Sequence, residues 1–98
     1  MSSRAAEISA NLQAITARIV SAAESSGRDP EEITLIAVTK TFPVSDAQIL
    51  HELGVRDFGE NRDAEGVEKA AVVSGTWHFQ GQIQSNKLKS ITSWASVI

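Results

Sequence analysis

The chain has 98 residues, enough for one small domain, and its 42% hydrophobic and 21% charged content is that of an ordinary soluble globular protein. A net charge of −3, a pI near 5.3 and the lack of any Lys/Arg run argue against nucleic acid as a partner. The absence of cysteine excludes disulfides, thiol catalysis and Cys-ligated zinc; no stretch approaches the ~20 apolar residues of a membrane span, so the expected compartment is the cytoplasm.

Residues 4–26 read as a leading amphipathic helix, because Ile8, Leu12, Ile15 and Ile19 recur at spacings that place them on one face. Gly27 suits the left-handed stop after it. Asp29-Pro30-Glu31-Glu32 reads as a one-turn helical start, with Asp29 as cap and Pro30 at the first position.

Ile33 to Thr39 is an almost continuous apolar run, expected to be a strand buried on both faces as in a parallel sheet. Lys40 stands at its carboxyl end. The bland reading of such a residue is a solvated lysine. The sharper reading is chemical: an amine at a strand tip can meet a ligand, and an apolar lining favours the neutral form that bonds to an aldehyde. By side-chain parity Lys40 shares a side with Ile36 and Val38.

Ser45 and Gln48 have the spacing of a capping box, and Val44 and Ile49 that of a hydrophobic staple. They predict a helix from Asp46 that buries Ala47, Leu50 and Leu53, leaves His51 on the surface and stops at Gly54. The pattern then repeats. Val55 to Phe58 reads as a short strand, and Gly59-Glu60-Asn61 as a turn with Asn61 able to cap a helix through Val67, Ala70 and Ala71. Ser74-Gly75 ends that helix. Thr76 to Phe79 is a third strand, and Ser85 is the expected cap of a helix carrying Leu88, Ile91 and Trp94. Ser96-Val97-Ile98 reads as the opening of a fourth strand.

Strand starts at 33, 55, 76 and 96 imply parallel strands joined by right-handed crossovers. An open doubly wound sheet and part of a (β/α)₈ barrel both fit. In either, ligands bind at the carboxyl ends of the strands, where Lys40, Gly59-Glu60-Asn61 and Gly81 to Gln84 all fall. Because a closed barrel takes ~250 residues, residues 1–98 are expected to form a single partial domain, with units from 33, 55 and 76 and a fourth strand starting at 96. His78, flanked by Trp77 and Phe79, faces away from both and is expected to be a buried, hydrogen-bonded histidine. No second His, Asp or Glu stands at metal spacing, and no Ser-His-Asp, paired-carboxylate or Gly-rich phosphate motif is present, so no metal ligand and no catalytic residue is assigned.

Three ordered segments carry a resemblance that covers nearly the whole chain. They are Ile33-Thr34-Leu35-Ile36-Ala37-Val38-Thr39-Lys40-Thr41, then Arg56-Asp57-Phe58-Gly59-Glu60-Asn61, then Trp77 to Lys87. The sequence resembles the YggS/PROSC family of pyridoxal phosphate homeostasis proteins, which is related to the alanine racemase N-terminal barrel. The resemblance implies the first part of a (β/α)₈ barrel preceded by a long helix. It implies pyridoxal 5′-phosphate as cofactor, held as a Schiff base on Lys40, with Asn61 facing it and His78 in the same cofactor-binding set. It further implies a vitamin B6 handling protein rather than a catalyst. The competing expectations are a pyridoxal phosphate-dependent amino-acid racemase-like enzyme, or a truncated form without activity. The full-length family member is expected to be a monomer, whereas a partial barrel with two unpaired strand edges is expected to self-associate. The family's phosphate contacts lie mainly in a late Ser/Gly-rich segment and an Arg-Ile-Gly stretch, neither of which this sequence contains. Two departures stand out: Lys40-Thr41-Phe42-Pro43 where many members read Lys-Thr-Lys-Pro, and Gln80 where an isoleucine is common.

Overall fold

The computed structural model describes residues 3–82 and 84–98, which form two compact units, Met1–Leu35 and Ile36–Ile98. In the first unit, helix α1 spans Arg4–Ser25. The Ser3 hydroxyl caps it by accepting the Ala6 N–H at 3.0 Å. Gly27, at φ 75°, turns the chain out of the helix, and the Arg28 N–H closes back on the Ala23 carbonyl at 2.8 Å. Asp29 then accepts the Glu31 N–H at 3.0 Å and caps a single 3₁₀ turn, Pro30–Glu32. Ile8 and Ala23 are buried, but Ile15 is 46% exposed, so the expected apolar face is only partly covered.

The second unit alternates strand and helix: β1 Ala37–Val38, α2 Val44–Glu52, β2 Asp57–Glu60, α3 Asp63–Val72, β3 Thr76–Phe79 and α4 Leu88–Trp94. The strands are parallel and lie in the order β1-β2-β3, with Ala37 opposite Phe58 and Phe58 opposite Trp77. The expected strand at 33–39 contributes only two residues to this ladder. The paired residues are Ala37 and Val38, opposite Phe58 and Gly59 of β2, which begins at Asp57. Beyond β3, Val97 makes one parallel bridge to His78, and its carbonyl accepts the Phe79 N–H at 2.7 Å.

One face of the sheet is packed under helices. Phe58 stacks on Trp77 with ring centroids 4.9 Å apart, and Phe79 meets Trp94 edge-on at 6.0 Å. The Trp77 indole N–H donates to the Val73 carbonyl at 3.0 Å, which ties β3 to the end of α3. Ala47, Val55, Val73 and Ile91 complete this core. Val38, Gly59 and His78 form a row on the other face, where Val38 is 44% exposed. Helices on a single face follow from the sequential strand order, because every crossover then runs in the same direction with the same hand.

Three expectations are corrected at element level. α2 starts at Val44, with Pro43 in the cap position, so Ser45 lies inside the first turn and forms no capping box. Proline's fixed φ, here −72°, pre-sets the entry, and the Pro43 carbonyl accepts the Asp46 N–H at 3.0 Å. Asn61 does not cap α3; Arg62 occupies that position without a side-chain bond. α3 buries Gly66 and Lys69, with the buried Val73 just past its end, while Val67 is 45% exposed, so a stripe containing a lysine faces the core in place of the expected Val67, Ala70 and Ala71. α4 begins at Leu88 after a 3₁₀ turn, Ser85–Lys87. The expected Ser85 cap concerns a side chain outside the described set, as does Ile83 in the third motif.

Candidate functional site

The ladder places three residues at one level of the carboxyl rim. Lys40 lies two residues beyond Val38, Asn61 two beyond Gly59, and Gln80 two beyond His78, and those three form one row across the sheet. All three rim residues are exposed. An ideal Cβ built on Gly59 would come within 2.8 Å of Gln80 Oε1 and 3.3 Å of Ile36 Cγ2. The glycine therefore leaves room for the Gln80 side chain to fold back over the open face. This departure from the family's common aliphatic residue is accommodated on the surface and does not burden the core.

Lys40 itself is exposed, so the apolar lining expected from its strand is not around it. What surrounds it is a backbone held from both sides. The Thr39 carbonyl accepts from Lys69 Nζ at 2.6 Å, and the Thr39 hydroxyl donates to Glu60 Oε1 at 2.8 Å. Lys69 Nζ also donates to Glu60 Oε1. On the far side of Lys40, the Thr41 N–H donates to Glu65 Oε1 at 2.9 Å, and that oxygen lies 3.5 Å from Lys69 Nζ. Thr39, Glu60 and Lys69 are 3%, 0% and 2% exposed, so this is an interior cluster. Thr41 has φ 66°, a left-handed conformation that a β-branched residue rarely adopts without support.

Sequence reasoning missed this cluster. Glu60 is expected in a turn, but β2 runs through it and turns its carboxylate toward the helices. Lys69 reads in sequence as an ordinary surface cation. The available signal is its place three residues after Gly66 and four before Val73, a helical stripe otherwise made of small or apolar residues.

His78 does not reach the rim. It lies within β3, half-buried, with Nε2 3.0 Å from Asp57 Oδ1 on the same face of the sheet. His51 is half-buried on α2, with Nε2 3.1 Å from the Ser74 hydroxyl. Asn61 does double service at the rim, since it also borders a cleft of about 360 Å³ whose wall includes Arg62, Gln82, Gln84 and Lys87 over Phe79 and Ile91. Asp63, at the same cleft, accepts the Trp94 indole N–H at 2.8 Å. Hydrogen bonds from Ser90 and then Trp94, with the Lys87 charge adding to them, hold its carboxyl below the usual carboxylate range. Among the described residues no group of three or more His, Asp and Glu side chains could hold a metal ion, and no helix is long and apolar enough to cross a membrane.

Comparison with known proteins gives a consistent set of relatives. No family model matches the chain. It is 44% identical over 87 residues to the pyridoxal phosphate homeostasis protein of Pseudomonas aeruginosa, an alignment covering 86% of this chain and 38% of that protein. It is 43% identical over 91 residues to the protein of the same name in Escherichia coli K12, covering 87% and 39%, and 37% identical over 105 residues to that of Mycobacterium bovis, covering 94% and 41%. The chain thus spans 38–41% of the length of these curated relatives. Among solved structures, a protein of Bifidobacterium adolescentis described as unknown superposes with a TM-score of 0.78 at 28% identity, covering 94% of this chain and 43% of that one. PipY of Synechococcus elongatus PCC7942, solved with PLP bound, superposes with a TM-score of 0.63 at 32% identity, covering 82% and 39%.

Proposed function

The chain belongs to the pyridoxal phosphate homeostasis proteins, of which it matches the N-terminal part, and on that premise we propose that it binds pyridoxal 5′-phosphate through Lys40 as a carrier of vitamin B6. The observation that carries the proposal is an exposed primary amine at the carboxyl rim of a parallel sheet, in line with Asn61 and Gln80. The cofactor, when bound, supplies an aldehyde that condenses with an amine and releases water. The residues present fit that end of the molecule. Lys40 offers the amine, and Asn61 offers a donor and an acceptor one strand away. His78 is engaged by Asp57 below the rim, and its part in this reading is to floor the site rather than to hold the cofactor.

The same reading extends to the architecture. Sequential parallel strands, helices on one face and an open opposite face are what a section of (β/α)₈ wall requires. A doubly wound sheet would carry helices on both faces and a switch in strand order. The alternative is an amino-acid racemase-like enzyme, which needs a second proton-transferring group; a racemisation rate above that of buffer would favour it.

The test is a titration of the purified chain with pyridoxal phosphate, followed by the absorption band of the lysine-bound cofactor. The band is expected in the wild type and absent in Lys40→Ala. A band of equal intensity in the variant would assign the cofactor to another lysine.

A further inference from the structure

The cluster around Thr39 and Thr41 has a cost that stability does not explain. It buries a lysine and a glutamate completely, with a second glutamate at its edge, and the Glu60 Oε2 and Glu65 Oε2 atoms have no hydrogen-bond partner among the described residues. Apolar side chains of similar volume would hold β1, β2 and α3 together at least as well, because desolvating charges offsets their attraction. What apolar groups could not do is bind backbone polar atoms. Among the described residues, the side-chain hydrogen bonds this cluster makes outside itself go to Thr39 and Thr41, the two neighbours of Lys40, and Glu65 also lies 3.9 Å from the Arg62 guanidinium. Thr39 is fixed by its carbonyl and its hydroxyl, and Thr41 by its N–H. The left-handed Thr41 is the kind of strained residue that persists only where its surroundings over-determine it.

We propose that Glu60, Lys69 and Glu65 are positioning residues for Lys40: together they clamp the Thr39–Thr41 backbone so that the Lys40 amine is presented at a fixed point on the carboxyl rim. This inference rests on Lys40 being the cofactor lysine. The clamp touches the backbone on either side and leaves the side chain itself exposed, which suits an amine that must exchange its partner. Its members come from β2 and α3, so the position of Lys40 is set by elements that follow it in the chain.

Glu65 is the member to vary, because it sits at the edge of the cluster, with its side chain 24% exposed. Two readouts on the full chain are needed. One is cofactor-free: hydrogen exchange of the Thr41 amide. The other is the rate at which pyridoxal phosphate is trapped on Lys40 by borohydride, located by peptide mass spectrometry, with circular dichroism as the control for folding. Glu65→Ala is expected to speed Thr41 exchange and to slow trapping by about tenfold or more, the scale of loss that accompanies a misplaced reacting group. Glu65→Gln keeps an acceptor for the Thr41 N–H and is expected to restore both within about twofold. Should Glu65→Ala fail to fold, the double variant Glu60→Leu, Lys69→Met removes both the acceptor for the Thr39 hydroxyl and the donor to its carbonyl, with the same loss expected. Wild-type trapping rates in folded Glu65→Ala or in the folded double variant, or fast Thr41 exchange in the wild type, would overturn the clamp. Absence of trapping at Lys40 in the wild type, with Thr41 protected, would instead overturn the cofactor assignment beneath it, and with it the purpose of the clamp.

Discussion

At the scale of single residues, Lys40 was legible because its surroundings in sequence are unusual: an apolar run that ends in one amine. Its exposure was not legible, since the run's apolar side chains speak for a strand and not for what covers the strand tip. Glu60 and Lys69 were illegible for a different reason. A charged residue reads as surface unless its partner is known, and this partner lies nine positions away across a strand–helix turn. Asp63 makes a prediction at this scale. Its folded-state carboxyl is held below the ordinary range, so folding favours the ionised form. The resulting stabilisation is fully present above the unfolded carboxylate value of about 3.9 and is lost as the pH falls through the lower folded value. Urea midpoints of the wild type and Asp63→Asn should therefore differ at neutral pH and converge in acid. A gap that does not change with pH would show that the charge of Asp63 contributes nothing to holding α4.

At the scale of elements, the alternation of strands and helices was legible and their ends were less so. The apolar blocks and glycine stops give the order β-α-β-α-β-α, which is the observed order. The start of α2 moved to Val44 because Pro43 fixes the chain before Ser45 can act as a cap. The buried stripe of α3 was misread because the packing there depends on the absence of a side chain. A Cβ on Gly66 would lie 2.3 Å from Cζ2 of Trp94, so the indole occupies the space where a side chain would be. A glycine inside a helix ordinarily costs about 1 kcal/mol relative to alanine, and replacing it should stabilise. Here overpacking is expected to win: Gly66→Ala should destabilise the fold by about 1–3 kcal/mol as Trp94 is pushed off α3. Chemical denaturation followed by tryptophan fluorescence would measure it. A variant more stable than the wild type would mean that α3 and α4 are not packed through this contact.

At the scale of the whole molecule, parallel pairing was legible from the regular spacing of the strand starts at 33, 55, 76 and 96, whereas the open face was not. Hydrophobicity along β1 predicted burial on both sides, yet Val38 is 44% exposed, and among the described residues no strand pairs with the outer edge of β1. An exposed Val38 beside a strand edge with no described partner promotes association. Sedimentation velocity across a concentration series should show this chain passing to larger species as concentration rises, and a concentration-independent monomer would refute that. The proposed function rests on one covalent position. Incubating the chain with pyridoxal phosphate, reducing with borohydride and mapping the modified peptide by mass spectrometry should place the adduct on Lys40 in a single dominant peptide. An adduct spread over the exposed Lys87 and Lys89 as well would contradict it.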